Sequence, residues 1–578
     1  MDIKEQMVRA IASERRQREL EAAEDVVALV RQGNVSRAVE NLIYFEAPGR
    51  FGERLGAILS EIGAAELPGA DACTARAVLR FLCELNISLV SYLPSWNLRD
   101  SARHGAQALS GQQVEEASVR VRDAVIELAR RSPEPMGELL DEWRAYHEAR
   151  LGAEEANDPA GAAQQLIGVS VGEYLANLQT EIDGSNLKRI AELRQKGQTL
   201  TEISNDFAAF LEHALYLGAS FATTNPPLVE MAWRSDPARW DPVVDRIVTE
   251  NPEAGLDLLG RLVTLEVVLA NMTLLRPIFL LTEGQMGCVC LQVNPVNHGD
   301  QDAMIGDALF LYERFQARLG GGIPNVVFKL PGTQAGLAAC RELTKRGIGV
   351  TITVNFGMFQ HVAFAEAIRD GAAAFSCLVE MNGRLAYPVR DELLSKIDVL
   401  AAQGITEGQA REAAAWAGVA VTKRMYSYLR SHGYDLGACK PLVASLRIYE
   451  GNGYDGLPSA FPDITEILGA SILSVFPNIR RPFDEMAQVD LHPMSVESPV
   501  PEHVMRVLAH SEIFRQAYFA GDHLDVEGDE RYRPAYALDL ADEDAVFKWA
   551  PVHATLTQFI GSYETFIERI REHQLMVQ

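Results

Sequence analysis

The chain has 578 residues, and 79 acidic against 53 basic side chains give it a formal net charge of −26. This acidic balance, without a long Lys or Arg cluster, argues against nucleic acid and anionic membranes as partners. Its length predicts more than one domain, and 48% hydrophobic with 23% charged residues is typical of a globular chain with a large core.

Targeting and metal-binding patterns are weak in this sequence. The first twenty residues, MDIKEQMVRAIASERRQREL, form a charged amphipathic helix pattern and not an apolar export signal. Residues 256–281 are the most apolar stretch, but Arg261, Glu266 and Arg276 interrupt them, so we expect a packed helix and no membrane span. The seven cysteines are scattered without zinc-ligand spacing. We therefore predict a cytoplasmic protein without a metal or redox cofactor.

Residues 1–165 are predicted to form an all-α N-terminal domain. Apolar residues recur at three-to-four spacing in EDVVALVRQGNVSRAVENLIYF, TARAVLRFLCELNISLVSYL and QVEEASVRVRDAVIELARR, and no strand pattern competes with them. The stretch GAEEANDPAGAAQQ, which begins at Gly152, is typical of a linker. We expect this domain to bind a partner, to form a homo-oligomer contact or to cover the mouth of an active site.

The next part of the chain, residues 166–485, alternates short β-rich runs with helical patterns. Parallel neighbouring strands need helical crossovers, so eight such runs predict an α/β fold of the (β/α)8 TIM-barrel type, with a doubly wound open sheet as the alternative. Residues 486–578 contain a Pro-rich loop and amphipathic helices that we expect to pack on the barrel. The predicted strands are residues 199–205, 219–224, 288–293, 325–330, 348–354, 372–379, 441–446 and 470–476.

The fourth predicted strand, NVVFKLP, contains a lysine among apolar residues. Alternation places Val327 and Lys329 on one face and Phe328 and Leu330 on the other, which suits the surrounding helices. Lys329 is then expected to face the barrel interior near the carboxyl-terminal end of its strand, where barrel active sites are built. Burial favours the neutral amine, which is a nucleophile towards carbonyl carbon. The alternative is a lysine that pairs with a carboxylate or points to solvent.

Polar residues on the neighbouring strands strengthen the functional interpretation. Gln292 stands in CVCLQVNP, and Thr351, Thr353 and Asn355 share one face of GVTITVNFGMFQ. Taken singly, each is more often a hydrogen-bonded structural group than a catalyst. Together at successive strand ends, they predict a polar site around Lys329.

These motifs resemble the transaldolase family, which includes the fructose-6-phosphate aldolases. The segments FATTNPPLV, CVCLQVNP, NVVFKLPGTQAGLAACRELTKRGIGVTITVNFGMFQ and VASLR match its successive strands in order. The resemblance covers roughly residues 199–480 and leaves residues 1 to about 165 without a counterpart. It implies a metal-independent enzyme that acts through a lysine Schiff base on a sugar phosphate or a related carbonyl substrate.

The resemblance also implies roles for individual residues. Lys329 would form the imine with a ketose, so that the C3–C4 bond can break and leave an enamine. Asn225 in TTNP matches an asparagine that binds donor hydroxyl groups, and Thr353 matches a threonine that positions a catalytic water. Gln292 replaces the transaldolase glutamate, and an amide cannot exchange a proton at neutral pH. Leu378 replaces the sixth-strand tyrosine of the fructose-6-phosphate aldolases.

The remaining acid/base candidates are carboxylates. Asp206 in TEISNDFAAFL is the best match for the group that removes the hydroxyl proton, although strict spacing would place Ser204 there. The alternative role for Asp206 is the N-cap of a helix that begins near Phe207. Glu202 and Glu380 are lesser candidates.

Phosphate-binding residues are implied on the last strands. Arg447 and Ser445 in VASLR match a seventh-strand pair, and Arg384 in NGRL takes the place of a sixth-strand arginine. Ser376 matches a substrate-contacting serine. The following loop, IYEGNGYDGLPSAFPD, is predicted to be either a lid over the catalytic face or a solvated insertion.

The sequence leaves the reaction open among related alternatives. One is transfer of a ketol unit between sugars, and another is aldol cleavage without an acceptor. A third is a catalytically degenerate barrel that serves as a binding protein, which the replaced glutamate and tyrosine favour. The donor, the acceptor and the oligomeric state stay open.

Overall fold

A computed structural model describes residues 3–64, 72–487, 489–519 and 538–577. Its centre is a closed barrel of eight parallel strands in which β8 pairs back to β1. The predicted (β/α)8 barrel is confirmed, and the open-sheet alternative is wrong. The strands are β1 Glu202–Asn205, β2 Ala219–Thr223, β3 Cys288–Gln292, β4 Val326–Pro331, β5 Val350–Thr353, β6 Ser376–Met381, β7 Cys439–Ala444 and β8 Ile472–Val475.

Several strands differ from their predicted bounds by two to four residues; β1, for example, begins at Glu202 and not at residue 199. β6 begins at Ser376 and not at residue 372, because the small apolar residues 372–374 extend the apolar pattern into the preceding turn. β7 begins at Cys439, two residues before the predicted start. The charge of Lys440 hid that start, since its ammonium group is buried in an ion pair with Glu202, 2.7 Å away.

The described chain before β1 is helical, as predicted. Local caps explain several starts; for example, the Ser110 hydroxyl and the Gln113 side chain form a capping box at α7. The helices are α1 Ile3–Glu21, α2 Val26–Arg31, α3 Val35–Glu40, α4 Pro48–Ala64, α5 Ala72–Val90, α6 Ser101–His104, α7 Gly111–Arg131, α8 Pro133–Ala153, α9 Pro159–Ile167, α10 Val171–Gly184 and α11 Asn186–Gln195.

The helices that follow surround the barrel and extend beyond it. They are α12 Leu211–Tyr216, α13 Pro226–Ser235, α14 Pro237–Glu250, α15 Leu256–Leu281, α16 Gln301–Arg318, α17 Gln334–Lys345, α18 Met358–Arg369, α19 Asn382–Ser395, α20 Ile397–Ala401, α21 Glu407–Ala415, α22 Ala417–Ser431, α23 Pro462–Thr465, α24 Pro477–Glu485, α25 Glu502–Leu508, α26 Glu512–Tyr518, α27 Glu543–Lys548 and α28 Ala550–Val577.

The N-terminal helices share their hydrophobic core with the barrel. One continuous cluster of buried apolar side chains extends from α1 through the barrel to α28. α1 lies at the amino-terminal end of the strands, where Ile11 packs on Gly284 just before β3 and Met7 packs on Gly347 just before β5. The division into residues 1–165, 166–485 and 486–578 therefore stays a prediction.

Helix α15 is the most apolar element of the described chain. By length and composition it could cross a membrane, and α5 with residues 93–107 passes the same test only as a bent pair. Half of the most apolar stretch of α15 is buried inside the structure. Its Arg276 donates a hydrogen bond to the carbonyl of Ile323 at 2.6 Å and forms an ion pair with Glu14 of α1. The helix packs between β3, α14 and α28.

Candidate active site

The carboxyl-terminal ends of the barrel strands enclose a cavity of about 430 Å³. This is the end at which active sites of such barrels are formed. Several strands and the first turn of α19 each contribute one or two polar side chains to it. Seven of the nine predicted site residues line the cavity: Asp206, Asn225, Lys329, Thr353, Arg384, Ser445 and Arg447.

Lys329 lies in β4 with its side chain directed into the cavity. Only 6% of the residue is exposed, so it does not point to bulk solvent. Its register partners are Gln292 of β3 and Thr351 of β5. The Nζ atom lies 5.9 Å from the centroid of the Phe559 ring. Lys329 is therefore flanked by polar residues on both neighbouring strands, and its amine faces one aromatic ring.

The two register partners of Lys329 carry polar atoms without partners. Neither Oε1 of Gln292 nor Oγ1 of Thr351 makes a hydrogen bond to any residue that the structure describes. Buried polar atoms of this kind are usually satisfied by water or by a ligand. Gln292 itself is not among the residues that line the cavity, so its predicted role in orienting water stays a prediction.

Asp206 directly follows β1 and is the one carboxylate among the described residues that line the cavity. Its backbone N–H donates to the carbonyl of Val475 at 3.0 Å, and the Thr223 hydroxyl donates to its carboxylate. Burial raises the pKa of Asp206, while the positive charge of Lys329 acts in the opposite direction. The alternative N-cap role is wrong, because the next helix begins at Leu211.

Asn225 and Thr353 stand on opposite sides of Lys329. Asn225 caps α13, and its Oδ1 accepts a hydrogen bond from Leu228 N at 3.0 Å, which leaves its amide N–H groups for a ligand. Thr353 ends β5 and is followed by Val354 in the left-handed conformation, with φ of 52°. This turn directs Asn355 away from the cavity to His361, 3.1 Å away, so the predicted shared face with Thr353 is wrong for Asn355.

Two guanidinium groups line the same cavity. Arg384 lies in the first turn of α19, and its Nη1 donates to Gln558 Oε1 at 2.6 Å. Arg447 follows β7, and its Nη1 donates to the carbonyl of Leu446 at 2.9 Å. Burial and the like charge of Arg447 lower the pKa of Arg384 to about 10. Paired guanidinium groups in a concave site favour an anionic ligand.

Several predicted positions lie away from the cavity. The predicted substrate contact of Ser376 is wrong, because this residue begins β6 at the opposite end of the barrel and its hydroxyl accepts from Val350 N at 3.1 Å. Glu202 is paired with Lys440, and the Glu380 carboxylate lies 2.8 Å from His361 Nε2. Neither glutamate lines the cavity.

The sixth strand presents no aromatic residue to the cavity. Val379 and Met381 line it, whereas Leu378 lies on the opposite face of β6. The register that places Leu378 in the tyrosine position is therefore wrong by at least one residue. The replacement of the tyrosine by an apolar residue holds for the described residues of β6.

The predicted lid loop packs elsewhere. Tyr449 is buried against Ala386 and Ala415, and its N–H donates to the carbonyl of Ala460 at 2.9 Å. Within the described chain, neither this loop nor any helix before β1 lines the cavity. The lid interpretation and the covering role of residues 1–165 are therefore not supported by the lining residues.

The C-terminal helix α28 supplies three lining residues that sequence reasoning missed, and others, such as Asn478, come from α24. Gln558, Phe559 and Ser562 line the cavity. The pattern QFIGSYETFIERIREH predicts an amphipathic helix, but periodicity alone does not identify the surface that the helix faces.

Comparison with known proteins agrees with this geometry. The model of a family described as transaldolase/fructose-6-phosphate aldolase matches residues 190–475, which include all eight strands. This part of the chain belongs to the transaldolase/fructose-6-phosphate aldolase family. The resemblance predicted from the strand motifs is confirmed. Residues 3–189 lie outside the family match.

The curated relatives are transaldolases that match over part of their length. Transaldolase 1 of Streptomyces avermitilis is 28% identical over 206 residues, which is 35% of this chain and 50% of the relative. A transaldolase of Campylobacter jejuni strain RM1221 is 26% identical over 34% of this chain and 57% of the relative. A transaldolase of Chlamydia caviae is 30% identical over 26% and 44%. The chain thus spans about half the length of these relatives.

Proposed function

We propose that this protein is a transaldolase-type enzyme in which Lys329 forms a Schiff base with a ketose. The observation that carries the proposal is the enclosed Lys329 amine, which shares one cavity with the Asp206 carboxylate and two guanidinium groups. Two guanidinium groups and one carboxylate in a single cavity favour a substrate that carries a negative charge.

The reaction follows from the chemistry of a protonated imine. The neutral Lys329 amine adds to the ketose carbonyl, and loss of water with uptake of one proton from the Asp206 carboxyl group gives an iminium ion. Asp206 then takes the proton of the C4 hydroxyl and the C3–C4 bond breaks. Its electron pair forms a C2–C3 double bond while the C=N π electrons move to nitrogen, which gives an enamine. The aldehyde fragment then leaves. Attack of the enamine on a second aldehyde gives a new iminium ion, and its hydrolysis completes the transfer. Protonation of the enamine followed by hydrolysis instead completes the cleavage.

We assign the proton transfers to Asp206. Its raised pKa brings the carboxyl group closer to neutral pH, where a group can both accept and donate a proton. Gln292 and Thr353 would orient the water that enters and leaves at the imine carbon, because neither side chain exchanges a proton itself. Arg384, Arg447 and Ser445 would hold the substrate phosphate.

The test is intact mass spectrometry after borohydride treatment with a panel of ketose phosphates and simple ketones. We expect a ketose-dependent mass increase in the wild type and in Lys345→Met, which removes an exposed lysine in α17. Lys329→Met should show no increase. Addition of acceptor aldehydes then separates transfer from cleavage. If no carbonyl compound adds to the wild type, the proposal fails and the partner-binding alternative takes its place.

A further inference from the structure

The C-terminal helix α28 crosses the mouth of the cavity and is fixed on both sides of it. Near one end, Gln558 Oε1 accepts from Arg384 of α19 at 2.6 Å. On the other side of the barrel, the Tyr563 hydroxyl donates to Asp257 of α15, 2.6 Å away. Further along, an ion pair of 2.6 Å joins Arg569 to Glu230 of α13. The helix is therefore a fixed wall of the cavity.

The surface of α28 that faces Lys329 carries an aromatic ring. Phe559 is 4% exposed, and its ring centroid lies 5.9 Å from Lys329 Nζ and 5.3 Å from Arg384 Cζ. One ring is thus within contact range of both the amine and a guanidinium group. A molecule joined to Nζ that also reaches Arg384 must extend along this ring.

The ring has two physical effects on such a molecule. Its negative face favours a nearby cation, and the protonated imine is a cation. Its apolar surface also limits the space for the carbon chain between the imine and the anionic group. The cavity volume of about 430 Å³ lies in the lower part of the range for small-molecule sites.

Gln558 affects the end of such a molecule that reaches Arg384. Its amide oxygen accepts a hydrogen bond from Nη1 of Arg384, so an anionic group that binds Arg384 has to displace or share this hydrogen bond. Gln558 is exposed, so its side chain has room to turn from Arg384 towards solvent.

We propose that Phe559 and Gln558 of α28 determine donor selection, with Phe559 limiting the chain length of a short ketose monophosphate and Gln558 setting the preference for a phosphorylated terminus. This inference rests on the proposed Schiff-base function. It deepens that function because it assigns specificity to an element outside the residues that match the family.

The experiment compares Phe559→Ala, Phe559→Leu and Gln558→Ala with Thr557→Ala, which changes an exposed position on the same helix that does not line the cavity. Each variant is incubated with ketose monophosphates of increasing chain length and with their unphosphorylated forms. Borohydride-trapped adduct is measured by intact mass against substrate concentration. Thermal melting identifies any variant that fails to fold, and Phe559→Leu keeps most of the buried volume if Phe559→Ala does not fold.

We expect Thr557→Ala to keep the wild-type order of preference. Phe559→Ala should shift the preference between short and long donors by about tenfold in favour of long ones, as expected for opening an apolar wall. Phe559→Leu should keep the length limit but trap less adduct with every donor, because the ring face is lost. Gln558→Ala should raise the preference for phosphorylated over unphosphorylated donors by roughly threefold to tenfold.

Two results would overturn the inference, and they differ in meaning. If the wild type forms adducts and all of the α28 variants keep its order of preference, donor selection lies elsewhere and the proposed function stands. If the wild type forms no adduct with any donor, the proposed function and this inference fail together.

Discussion

Asp463 accepts a hydrogen bond from the backbone N–H of Arg447, with 3.0 Å between Arg447 N and Asp463 Oδ2. Its other oxygen accepts from Asn382 Nδ2, also at 3.0 Å. Asn382 is the first residue of α19, and Arg384 lies in the same turn. A single buried carboxyl group therefore connects the two segments that carry the cavity guanidinium groups.

This arrangement predicts a stability that depends on pH through Asp463. Burial raises the pKa of Asp463 to about 7 against hydrogen bonds from Asn382 and Arg447. Between about pH 4 and pH 7 the unfolded acid is ionised while the folded one stays protonated, so its contribution to stability falls as pH rises through that range. Asp463→Asn should reduce this fall by roughly 1–4 kcal/mol. Denaturant unfolding from pH 5 to pH 8 measures it.

The control for this measurement is Asp455→Asn, which changes an exposed aspartate in the neighbouring loop. It should leave the pH dependence of the wild type unchanged. An equal pH profile for wild type and Asp463→Asn would contradict the prediction.

The two cavity arginines predict binding of inorganic phosphate. Arg384→Gln or Arg447→Gln should weaken that binding about tenfold to a hundredfold, since a hydrogen bond to a charged group contributes roughly 1.5–3 kcal/mol. Calorimetric titration with phosphate measures the change, and Arg390→Gln on the same helix, outside the cavity lining, is the matched control. Equal affinity for phosphate in Arg384→Gln, Arg447→Gln and Arg390→Gln would refute an anion site.

Phosphate binding by the wild type should also weaken above about pH 9, because the pKa of Arg384 is about 10 and its charge is lost as pH rises.

Most of the barrel was predictable because it is encoded locally. Most strands are short runs rich in apolar residues, and alternation within NVVFKLP was enough to place Lys329 in the interior. The carboxyl-terminal ends of parallel strands share one edge, so Asp206, Lys329 and Thr353 could be brought together without knowing any contact.

The errors arose where the local sequence pattern did not determine the register of a strand or the element that a helix contacts. The apolar residues 372–374 moved the predicted start of β6. The roles of Ser376 and Leu378 came from the family resemblance, which did not fix the register of this strand, and this led to a wrong end for Ser376 and a wrong face for Leu378. The left-handed turn at Val354 removed Asn355 from the site, and such a conformation is rare for a β-branched residue. Phe559 was missed because its contact depends on where a distant helix docks.

The buried network around Arg150 predicts a strong link between α8 and the barrel. Arg150 is 1% exposed, and its Nη1 lies 3.1 Å from Glu154 Oε1 and 2.7 Å from Glu181 Oε1. Arg480 of α24 also pairs with Glu154. Arg150→Met should lower the free energy of unfolding by about 3–5 kcal/mol, because it leaves buried carboxylate without one of its partners.

Chemical denaturation of Arg150→Met beside Arg144→Met provides the comparison. Arg144 is a half-buried residue of the same helix whose partner, Asp141, is exposed and lies 2.7 Å away, and its loss should change stability by at most about 1 kcal/mol. Similar stability of the two variants would show that the network contributes little.

Gly287, just before β3, lies at a position that we expect to accept only glycine. Its φ is 79°, and a Cβ atom there would lie 2.3 Å from the backbone nitrogen of Phe279. Gly287→Ala should therefore destabilise the protein by more than about 2 kcal/mol. Gly306→Ala, in α16 with no atom within 4 Å of the added carbon, should instead stabilise by roughly 0.5–1 kcal/mol. Thermal unfolding of both variants decides the question, and equal melting temperatures would contradict it.

The wall formed by α28 also has a consequence for biosynthesis. Gln558 and Arg384 are 174 residues apart in the chain, so their contact closes a long loop and forms late. During synthesis the strands leave the ribosome well before α28, and barrel residues can fold while the helix is still absent. If α28 selects the donor as proposed, the Lys329 amine lacks this selection until the helix docks. The nascent protein would then discriminate less among carbonyl compounds than the folded protein.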